Sequence, residues 1–257
     1  MSAVSASEMR VAVVTGGGSG IGRAIVEAFA HAGYQTMIAD VNEADSQTLA
    51  ESLNTQSLQA RYLKLDVADA DNIADFFATV EREYGRCDVL VNNAGIAKTV
   101  AYLDYPQDHW EKVMQVNVTG PFLMSQHAAR LMQKRQSGRI INIASVSGER
   151  ASWGRAAYGT SKAAIFGLTR QMALELAEFG ITSNGIAPGP IDTPLTRQLH
   201  TQAARDAFTQ SVPMGRYGTP HEIAQVCLFL ASDAASYVNG QVIPVDGGFM
   251  AAGITGH

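Results

Sequence analysis

The feature that most constrains the fold is a short apolar strand that runs directly into a glycine-rich turn and then into a helix. Residues 11–14 are apolar, residues 15–22 contain five glycines in the spacing G-x-x-x-G-x-G, and apolar residues then recur at helical spacing. Glycines let backbone N–H groups approach a phosphate, and a helix N-terminus adds free donors and partial positive charge. The junction therefore predicts a dinucleotide pyrophosphate site. The residues expected to contact it are Gly16, Ser19, Gly20 and Ile21.

Short apolar runs alternate with helical patterns along the rest of the chain. Residues 36–39, 89–91, 140–143 and 242–245 are typical of buried strands, and residues 73–84 carry an apolar stripe of helical period. Thr219 to Glu222 has the pattern of a helix N-terminal capping box. This alternation predicts an α/β protein: a single domain over residues 1–257, with a doubly wound parallel sheet of Rossmann type and helices on both faces.

The least regular region lies between Pro188 and Pro213. It is rich in Pro, Thr, Gln and Arg and interrupts the alternation. A long irregular excursion in a compact domain is usually a lid or a binding loop, and a variable surface loop is the alternative. We therefore expect a lid insertion near residues 190–213.

Composition and charge exclude several classes of protein. A chain of 257 residues with 46% hydrophobic and 17% charged residues has enough apolar material for one large core. Its net charge of -5 disfavours nucleic-acid binding. Cys87 and Cys227 sit in apolar settings, which favours buried free thiols, and the six histidines lack metal-ligand spacing, so no catalytic metal is expected. Residues 1–10 lack the apolar core of a signal peptide, and no run is long enough to span a membrane, so we expect a cytoplasmic protein without a membrane partner.

An acidic residue follows the second predicted strand. Asp40 lies about 20 residues beyond the glycines, where a carboxylate accepts hydrogen bonds from the ribose hydroxyls of NAD and repels the extra phosphate of NADP. The glycine loop contains no arginine. Both features favour NAD(H) as the cofactor, although a turn residue at a strand end is the alternative for Asp40.

Tyr158 and Lys162 stand four residues apart at the start of a predicted helix, so they share one face of it. A neighbouring ammonium stabilises a phenolate and lowers the tyrosine pKa from its ordinary value of about 10. The positive nicotinamide ring of NAD+ would lower it further. Tyr158 can then act as a general base in oxidation and a general acid in reduction. A surface helix pair is the alternative.

In its combination of motifs the chain resembles the short-chain dehydrogenase/reductase family, over residues 10–248. The motifs that carry the resemblance occur in family order. They are residues 15–22, Asp40, Asp66-Val67, residues 92–95, Asn117, Ser145, Tyr158 with Lys162, Pro188-Gly189, Thr193 and residues 240–248.

The resemblance implies a role for each catalytic residue. Ser145 would hydrogen-bond the substrate oxygen, and Tyr158 would transfer the proton. Lys162 would lower the Tyr158 pKa and bind the nicotinamide ribose. Asn117 would hold a water that relays protons from Lys162 to solvent, a role compatible with capping the end of its helix.

The resemblance also implies the rest of the cofactor site and an assembly. Asp66 and Val67 are expected beside the adenine, and Asn93, Ala94 and Gly95 beside the inner ribose. The residues expected along the nicotinamide are Pro188, Gly189, Ile191 and Thr193. A homotetramer is expected, formed through the helix that carries Tyr158, the long helix before it and the last strand. Residues 250–257 could reach a neighbouring subunit.

The substrate is the least constrained part of the prediction. Residues between Ser145 and Tyr158 usually border the substrate, and the lid adds others. The candidates are Ser147, Arg150, Trp153, Arg155 and Arg197. One hypothesis is that Arg150, Arg155 or Arg197 pairs with an anionic substrate group, and the alternative is that all three are solvated surface arginines.

The main functional prediction is an NAD(H)-dependent oxidoreductase that interconverts a secondary alcohol and a ketone. Its substrate would be small and polar: a polyol, a sugar or a hydroxy acid. The enzyme alternative is a 3-oxoacyl thioester reductase, which shares nearly all these motifs. The alternative of another class is a non-catalytic NAD-binding regulator, which would not need the complete set of Asn117, Ser145, Tyr158 and Lys162.

Overall fold

The computed structural model describes residues 9–253 of the chain. Residues 1–8 and 254–257 lie outside the described residues. The signal-peptide expectation falls largely on the first of these segments, and the subunit-contact expectation falls partly on the second.

Within residues 9–253 the sheet has seven parallel strands, β1 to β7 in chain order. Their bounds are β1 Val11–Thr15, β2 Gln35–Asp40, β3 Ala60–Lys64, β4 Val89–Asn92, β5 Gly138–Ile143, β6 Ile181–Pro188 and β7 Val242–Val245.

Helices connect these strands, and nine α-helices occur within residues 9–253. They are α1 Gly20–His31, α2 Glu43–Thr55, α3 Ala70–Tyr84, α4 Gln107–Met114, α5 Gly120–Gln133, α6 Ala156–Glu175, α7 Pro194–Leu199, α8 Gln202–Ser211 and α9 Pro220–Ala231.

The strand order β3-β2-β1-β4-β5-β6-β7 contains one reversal, because the chain leaves the β3 edge and returns beside β1 as β4. The register pairs Ala12 with Thr36 on one side and with Val89 on the other. At such a reversal the connections leave β1 and β4 toward opposite faces, which opens a crevice at the carboxyl ends of the strands. The glycine turn that follows β1 lies at this crevice.

Two apolar cores cover the two faces of the sheet, and successive side chains of β1 belong alternately to one core and to the other. Ala12 and Val14 pack with α1, α2 and α9, whereas Val11 and Val13 pack with α3 and α5. Successive strand residues point to opposite faces, so a strand buried on both sides is apolar throughout. The predicted doubly wound α/β domain is confirmed. Cys87 and Cys227 are buried free thiols, and burial raises the pKa of each.

Two local features differ from the sequence expectation. Strand β3 was not among the predicted strands, because it lies at the edge of the sheet and several of its side chains, such as Arg61, are exposed to solvent. The insertion expected near residues 190–213 does separate β6 from α9, but it is helical rather than irregular. Thr193 and Thr201 cap its two short helices, α7 and α8.

The capping box predicted at Thr219 and Glu222 is confirmed at the start of α9. No helix within residues 9–253 is both long and apolar enough to cross a membrane.

Candidate active site

The glycine turn after β1 depends on glycine at named positions. Gly16 and Gly20 have φ angles of +63° and +53°, in the left-handed region that disfavours side chains. A Cβ at Gly22 would lie 2.0 Å from the carbonyl oxygen of Gly16. The turn can therefore pack tightly against the start of α1 and leave its backbone open toward the crevice.

Asp40 ends β2 beside this turn. One carboxylate oxygen accepts a hydrogen bond from the Gly18 N–H at 2.9 Å, and the other accepts one from the Asn42 N–H at 2.9 Å. The carboxylate is thus held in place by backbone donors, and each oxygen keeps a lone pair for a further donor. This is the geometry that recognition of ribose hydroxyls requires.

Asn93 and Thr15 join the end of β4 to the glycine turn. The Asn93 side-chain amide donates to the carbonyl oxygens of Thr15 and Gly16, at 2.9 and 3.0 Å. The Thr15 hydroxyl accepts from the N–H groups of Asn93 and Ala94, both at 3.0 Å. The two sides of the crevice therefore form one rigid unit.

A cleft of about 550 Å³ runs along the carboxyl ends of the strands. It is lined by every residue that was predicted to contact the cofactor. These are Gly16, Ser19, Gly20, Ile21, Asp40, Asp66, Val67, Asn93, Ala94, Gly95, Tyr158, Lys162, Pro188, Gly189, Ile191 and Thr193. Residues from six separate stretches of sequence thus share one elongated site, large enough for a dinucleotide.

Ser145, Tyr158 and Lys162 meet at this cleft. The Lys162 Nζ lies 5.6 Å from the centre of the Tyr158 ring and donates to the carbonyl oxygen of Ile143 at 2.7 Å. Burial lowers the pKa of Lys162 to about 8. Burial also raises the pKa of Tyr158, opposed by its hydrogen bond with Ser145 and by the charge of Arg155. In the protein alone, burial thus outweighs the groups that stabilise the phenolate, and the effect expected from Lys162 stays a prediction.

Asn117 occupies a π-helical turn, Gln115–Thr119, between α4 and α5. Its side chain accepts from the Ile96 N–H at 2.9 Å and donates to the Ile96 carbonyl oxygen at 3.0 Å. It also donates to the Ser161 hydroxyl at 3.0 Å. Such turns widen a helix and are frequent at functional sites. This one ties the loop after β4 to α6, and it leaves Gly95 between Asn117 and Lys162: a Cβ there would lie 3.4 and 3.6 Å from their polar atoms.

The three candidate substrate arginines lie in different surroundings. Arg155 is half-buried, with its guanidinium carbon 5.6 Å from the centre of the Tyr158 ring. Arg150 lies over the ring of Phe249 and donates to its carbonyl oxygen. Arg197 is exposed and paired with Asp192 at 2.8 Å. The structure thus places Arg155, and not the other two, against the Tyr158 ring.

The other two substrate candidates divide in the same way. Trp153 is 79% exposed, so its side chain contributes little to any enclosed wall. The Ser147 N–H donates to the Ser145 hydroxyl at 3.1 Å, which fixes the orientation of that hydroxyl.

A model of the family described as enoyl-(acyl carrier protein) reductase matches residues 16–250. The chain belongs to the short-chain dehydrogenase/reductase family. Among curated relatives, the 3-oxoacyl-[acyl-carrier-protein] reductase of Thermotoga maritima is 39% identical over 95% of this chain and 98% of its own length. As a member of this family the chain is an oxidoreductase that acts on CH–OH groups.

Two solved structures show the same fold in this family. A gluconate 5-dehydrogenase from Burkholderia cenocepacia, in complex with NADP and tartrate, is 38% identical with a TM-score of 0.91, covering 95% of this chain and 96% of that one. A variant of the actinorhodin polyketide ketoreductase, with NADPH, is 33% identical with a TM-score of 0.90, covering 95% and 98%.

The sequence analysis did not single out several residues that the structure places at the site. Many are apolar or backbone contacts that no motif singles out. Those lining the cleft are Val41, Leu65, Ile96, Lys112, Val116, Ile143, Ala144, Pro194 and Thr196. Those joined around the lid are Arg205, Phe208, Tyr217 and Phe249. The neighbours of predicted residues, such as Val41 beside Asp40, could have been found from their position at strand ends.

Proposed function

We propose that this chain interconverts a secondary alcohol and a ketone with NAD(H), on a small polar substrate of the polyol, sugar or hydroxy-acid type. The observation that carries the proposal is the convergence of Ser145, Tyr158 and Lys162 on a cleft whose other end holds the carboxylate of Asp40. The complete set argues against a non-catalytic NAD-binding regulator, because pure binding does not need a proton path.

The residues of the cleft fit a dinucleotide. Gly16 and Gly20 would leave room for the pyrophosphate, Asp40 would accept from the ribose hydroxyls, and Ile191 and Thr193 would lie along the nicotinamide. Bound there, the cofactor supplies or accepts the hydride, and the protein supplies orientation.

The protein residues would manage the proton and the charge on oxygen. Ser145, oriented by the Ser147 N–H, would hold the substrate oxygen. Tyr158 would take the hydroxyl proton in oxidation and return it in reduction. Lys162, whose Nζ is held by the Ile143 carbonyl, would stabilise the phenolate, and Asn117 would position the relay to solvent.

The choice of NAD(H) over NADP(H) rests on charge. Among the described residues that line the cleft, Lys112 and Lys162 are the basic ones, and neither is adjacent in sequence to Asp40. A carboxylate fixed by two backbone donors would repel the extra phosphate of NADP. The two solved relatives carry NADP and NADPH, so cofactor preference must be measured for this chain itself.

The second candidate function is reduction of a 3-oxoacyl thioester. The Thermotoga maritima relative is named for that activity on acyl carrier protein, and the sequence comparison supports it more strongly than a polyol. The gluconate 5-dehydrogenase with bound tartrate supports a hydroxy acid. The same Ser145 and Tyr158 chemistry serves both substrates, so the distinction lies in the wall of the substrate site.

We also propose a cytoplasmic homotetramer that is independent of metal, nucleic acid and membrane. Support for the assembly is the 76% exposure of Leu174 on α6 and the 43% exposure of Phe122 on α5, the two helices expected at the interface. Gel filtration with light scattering measures the mass, and a monomer would refute this part.

The deciding experiment is an absorbance screen for NADH. Purified protein is offered polyols, sugars and hydroxy acids with NAD+ and with NADP+, and a 3-oxoacyl thioester with NADH and with NADPH. Strong reduction of NAD+ by one polar alcohol supports the first candidate. Turnover of the thioester alone supports the second, and if it requires NADPH, the interpretation of Asp40 is wrong.

A further inference from the structure

Arg155 stands out among the arginines of residues 9–253 because its positive charge is partly buried and has no acidic partner within that range. Within residues 9–253 the other half-buried arginines, Arg139 and Arg205, each lie within ion-pair distance of an aspartate. The side chain of Arg155 forms no such ion pair in the described structure, and it does not cap its helix by a hydrogen bond. A partly buried cation without a counter-ion is costly, so this environment is suited to an anionic ligand.

The position of Arg155 assigns it to the substrate side of the site. It precedes α6, its guanidinium lies over the Tyr158 ring, and it does not line the cofactor cleft. The charge of Arg155 also acts on two other side chains. Burial raises the pKa of Tyr105, and the charge of Arg155 opposes this effect. Burial lowers the pKa of His200, and the charge of Arg155 lowers it further. Tyr105 lies before α4 and His200 follows α7, so the loop before α4 and the lid both come within electrostatic range of Arg155, whose guanidinium contacts the Tyr158 ring.

His200 follows α7 and is held by other side chains of the lid region. Its Nδ1 lies 2.9 Å from the Tyr217 hydroxyl, and its ring stacks on Phe208 at 5.0 Å between centres. The carboxylate of Asp192, at the start of the lid, is already paired with Arg197 and Arg205. One ring nitrogen of His200 is thus engaged by Tyr217, and the charge of Asp192 is balanced by its arginine partners.

We propose that Arg155 and His200 form a subsite for the carboxylate of the substrate, so that this enzyme acts on hydroxy acids and their keto forms. The guanidinium supplies a planar pair of donors that matches a carboxylate, and His200 supplies a further donor. The proposal rests on the proposed function and narrows it. A 3-oxoacyl thioester is neutral around its reacting carbon. If the subsite binds a carboxylate, such a thioester is a poorer substrate than a hydroxy acid.

Binding tests the subsite without turnover. The complex of the protein with NADH is titrated with glycolate, lactate, 3-hydroxybutyrate and gluconate, and with the neutral primary amide of each, and NADH fluorescence is followed. At least one carboxylate should bind at least tenfold more tightly than its amide. In Arg155→Gln this preference should disappear, while the affinity for NADH stays unchanged. If no acid binds better than its amide, the subsite does not exist.

Kinetics separates recognition from a structural role. Arg155→Gln should raise KM for the acid about 10- to 100-fold with a smaller change in kcat, since a charged hydrogen bond and its pairing are lost. Arg155→Lys should recover part of the loss, because it keeps the charge without the planar fork. Arg216→Gln, an exposed arginine near the lid that pairs with Glu222, serves as the matched control and should behave as wild type.

A neutral substrate completes the design. The N-acetylcysteamine thioester of 3-oxobutanoate reports on catalysis without a carboxylate. Arg155→Gln should leave its kcat/KM within about threefold of wild type, the allowance covering the small effect of Arg155 on the Tyr158 pKa. An equal loss with acid and thioester would assign Arg155 to positioning Tyr158 and would overturn the subsite, while the oxidoreductase function would stand. Absence of turnover with every substrate would instead remove the proposed function, and the binding titration would still decide the subsite.

Discussion

The two ends of the active-site region are built in different ways. At the cofactor end, backbone groups at the carboxyl ends of β1, β2 and β4 form the site, and side chains such as Asn93 lock them together. At the substrate end, side chains that are far apart in sequence come together: Arg155 lies over the Tyr158 ring, and His200 of the lid and Phe249 of the C-terminal segment both contact Phe208. The first end depends on local motifs, and the second depends on long-range packing.

This difference teaches where variation is tolerated. A Cβ at Gly22 would overlap the backbone of Gly16, so the cofactor end cannot change without moving its strands. The residues named at the substrate end lie outside the strands, so they can be exchanged with less effect on the sheet. The same scaffold can therefore keep its cofactor chemistry while its substrate changes.

The largest expected effect lies where the two ends meet. Tyr158→Phe removes the hydroxyl that we propose transfers the proton and keeps the ring that packs beneath Arg155. We expect kcat to fall about 10³-fold while NADH affinity is unchanged. Stopped-flow turnover and NADH fluorescence measure the two quantities, and Tyr237→Phe, at a fully exposed tyrosine, is the control. Loss of NADH binding in Tyr158→Phe would mean that the two ends are not separable.

Lys162 lies between the cofactor end and the substrate end. We expect its buried charge to lower the free energy of unfolding near neutral pH. Its pKa is about 8 in the folded chain against 10.5 in the unfolded chain, because burial disfavours the charge. Between these values the unfolded chain holds a proton that the folded chain has lost, so stability rises with pH. Relative to Lys162→Met, wild type should gain about 3 kcal/mol across that interval and be the less stable protein below it.

Chemical denaturation of both proteins at several pH values measures this difference. Lys134→Met, at an exposed lysine paired with Glu81, should show no comparable trend. A difference between wild type and Lys162→Met that is constant with pH would show that Lys162 is not desolvated.

Asp40 should affect the cofactor end alone. Asp40→Asn keeps the shape and one acceptor for the Gly18 or Asn42 N–H, but it removes the charge. The ratio of kcat/KM for NAD+ to that for NADP+ should fall at least about tenfold, since repulsion of the phosphate is lost. Initial rates with both cofactors measure the ratio, with Asp45→Asn on α2 as the control. An unchanged ratio, or a change in KM for the alcohol, would contradict the separation of the ends.

The smallest effect is expected at the lid. Arg197 and, to a smaller extent, Arg205 hydrogen-bond to Asp192 and lower the pKa of this carboxyl to about 2. The stabilisation of the folded chain by these pairs is therefore present above the ordinary pKa of an aspartate and is lost as the pH falls toward 2. Arg197 is exposed, and Asp192 and Arg205 are half-buried, so solvent still screens these ion pairs. Asp192→Asn should therefore raise KM for the substrate by no more than about fivefold and leave cofactor affinity unchanged.

Hydrogen exchange should be faster in α7 and α8 of this variant. Asp206→Asn, on the exposed face of α8, is the control. Unchanged exchange would show that Asp192 does not hold the lid.

Much of the fold and of the cofactor site could be predicted because the physical requirements of these features restrict the residue types of short, continuous segments. Strands buried on both faces must be apolar, and a turn beside a phosphate needs glycine at Gly16 and Gly20. Strand β3 could not be predicted because one edge faces solvent, so residues such as Arg61 hide its pattern. The lid was expected to be irregular because two helices of 6 and 10 residues are too short to show a convincing period.

The sequence by itself determined the doubly wound sheet, the glycine turn, the placement of Asp40 and the Tyr158–Lys162 pair, because each follows from local geometry or from a periodic burial requirement. Only the tertiary structure decided which of three arginines lies against Tyr158, and that His200 of the lid packs on Phe208 beside Tyr217. Those contacts depend on how α6, the lid and the C-terminal segment pack against one another. Packing between distant segments leaves no periodic signal in any one of them.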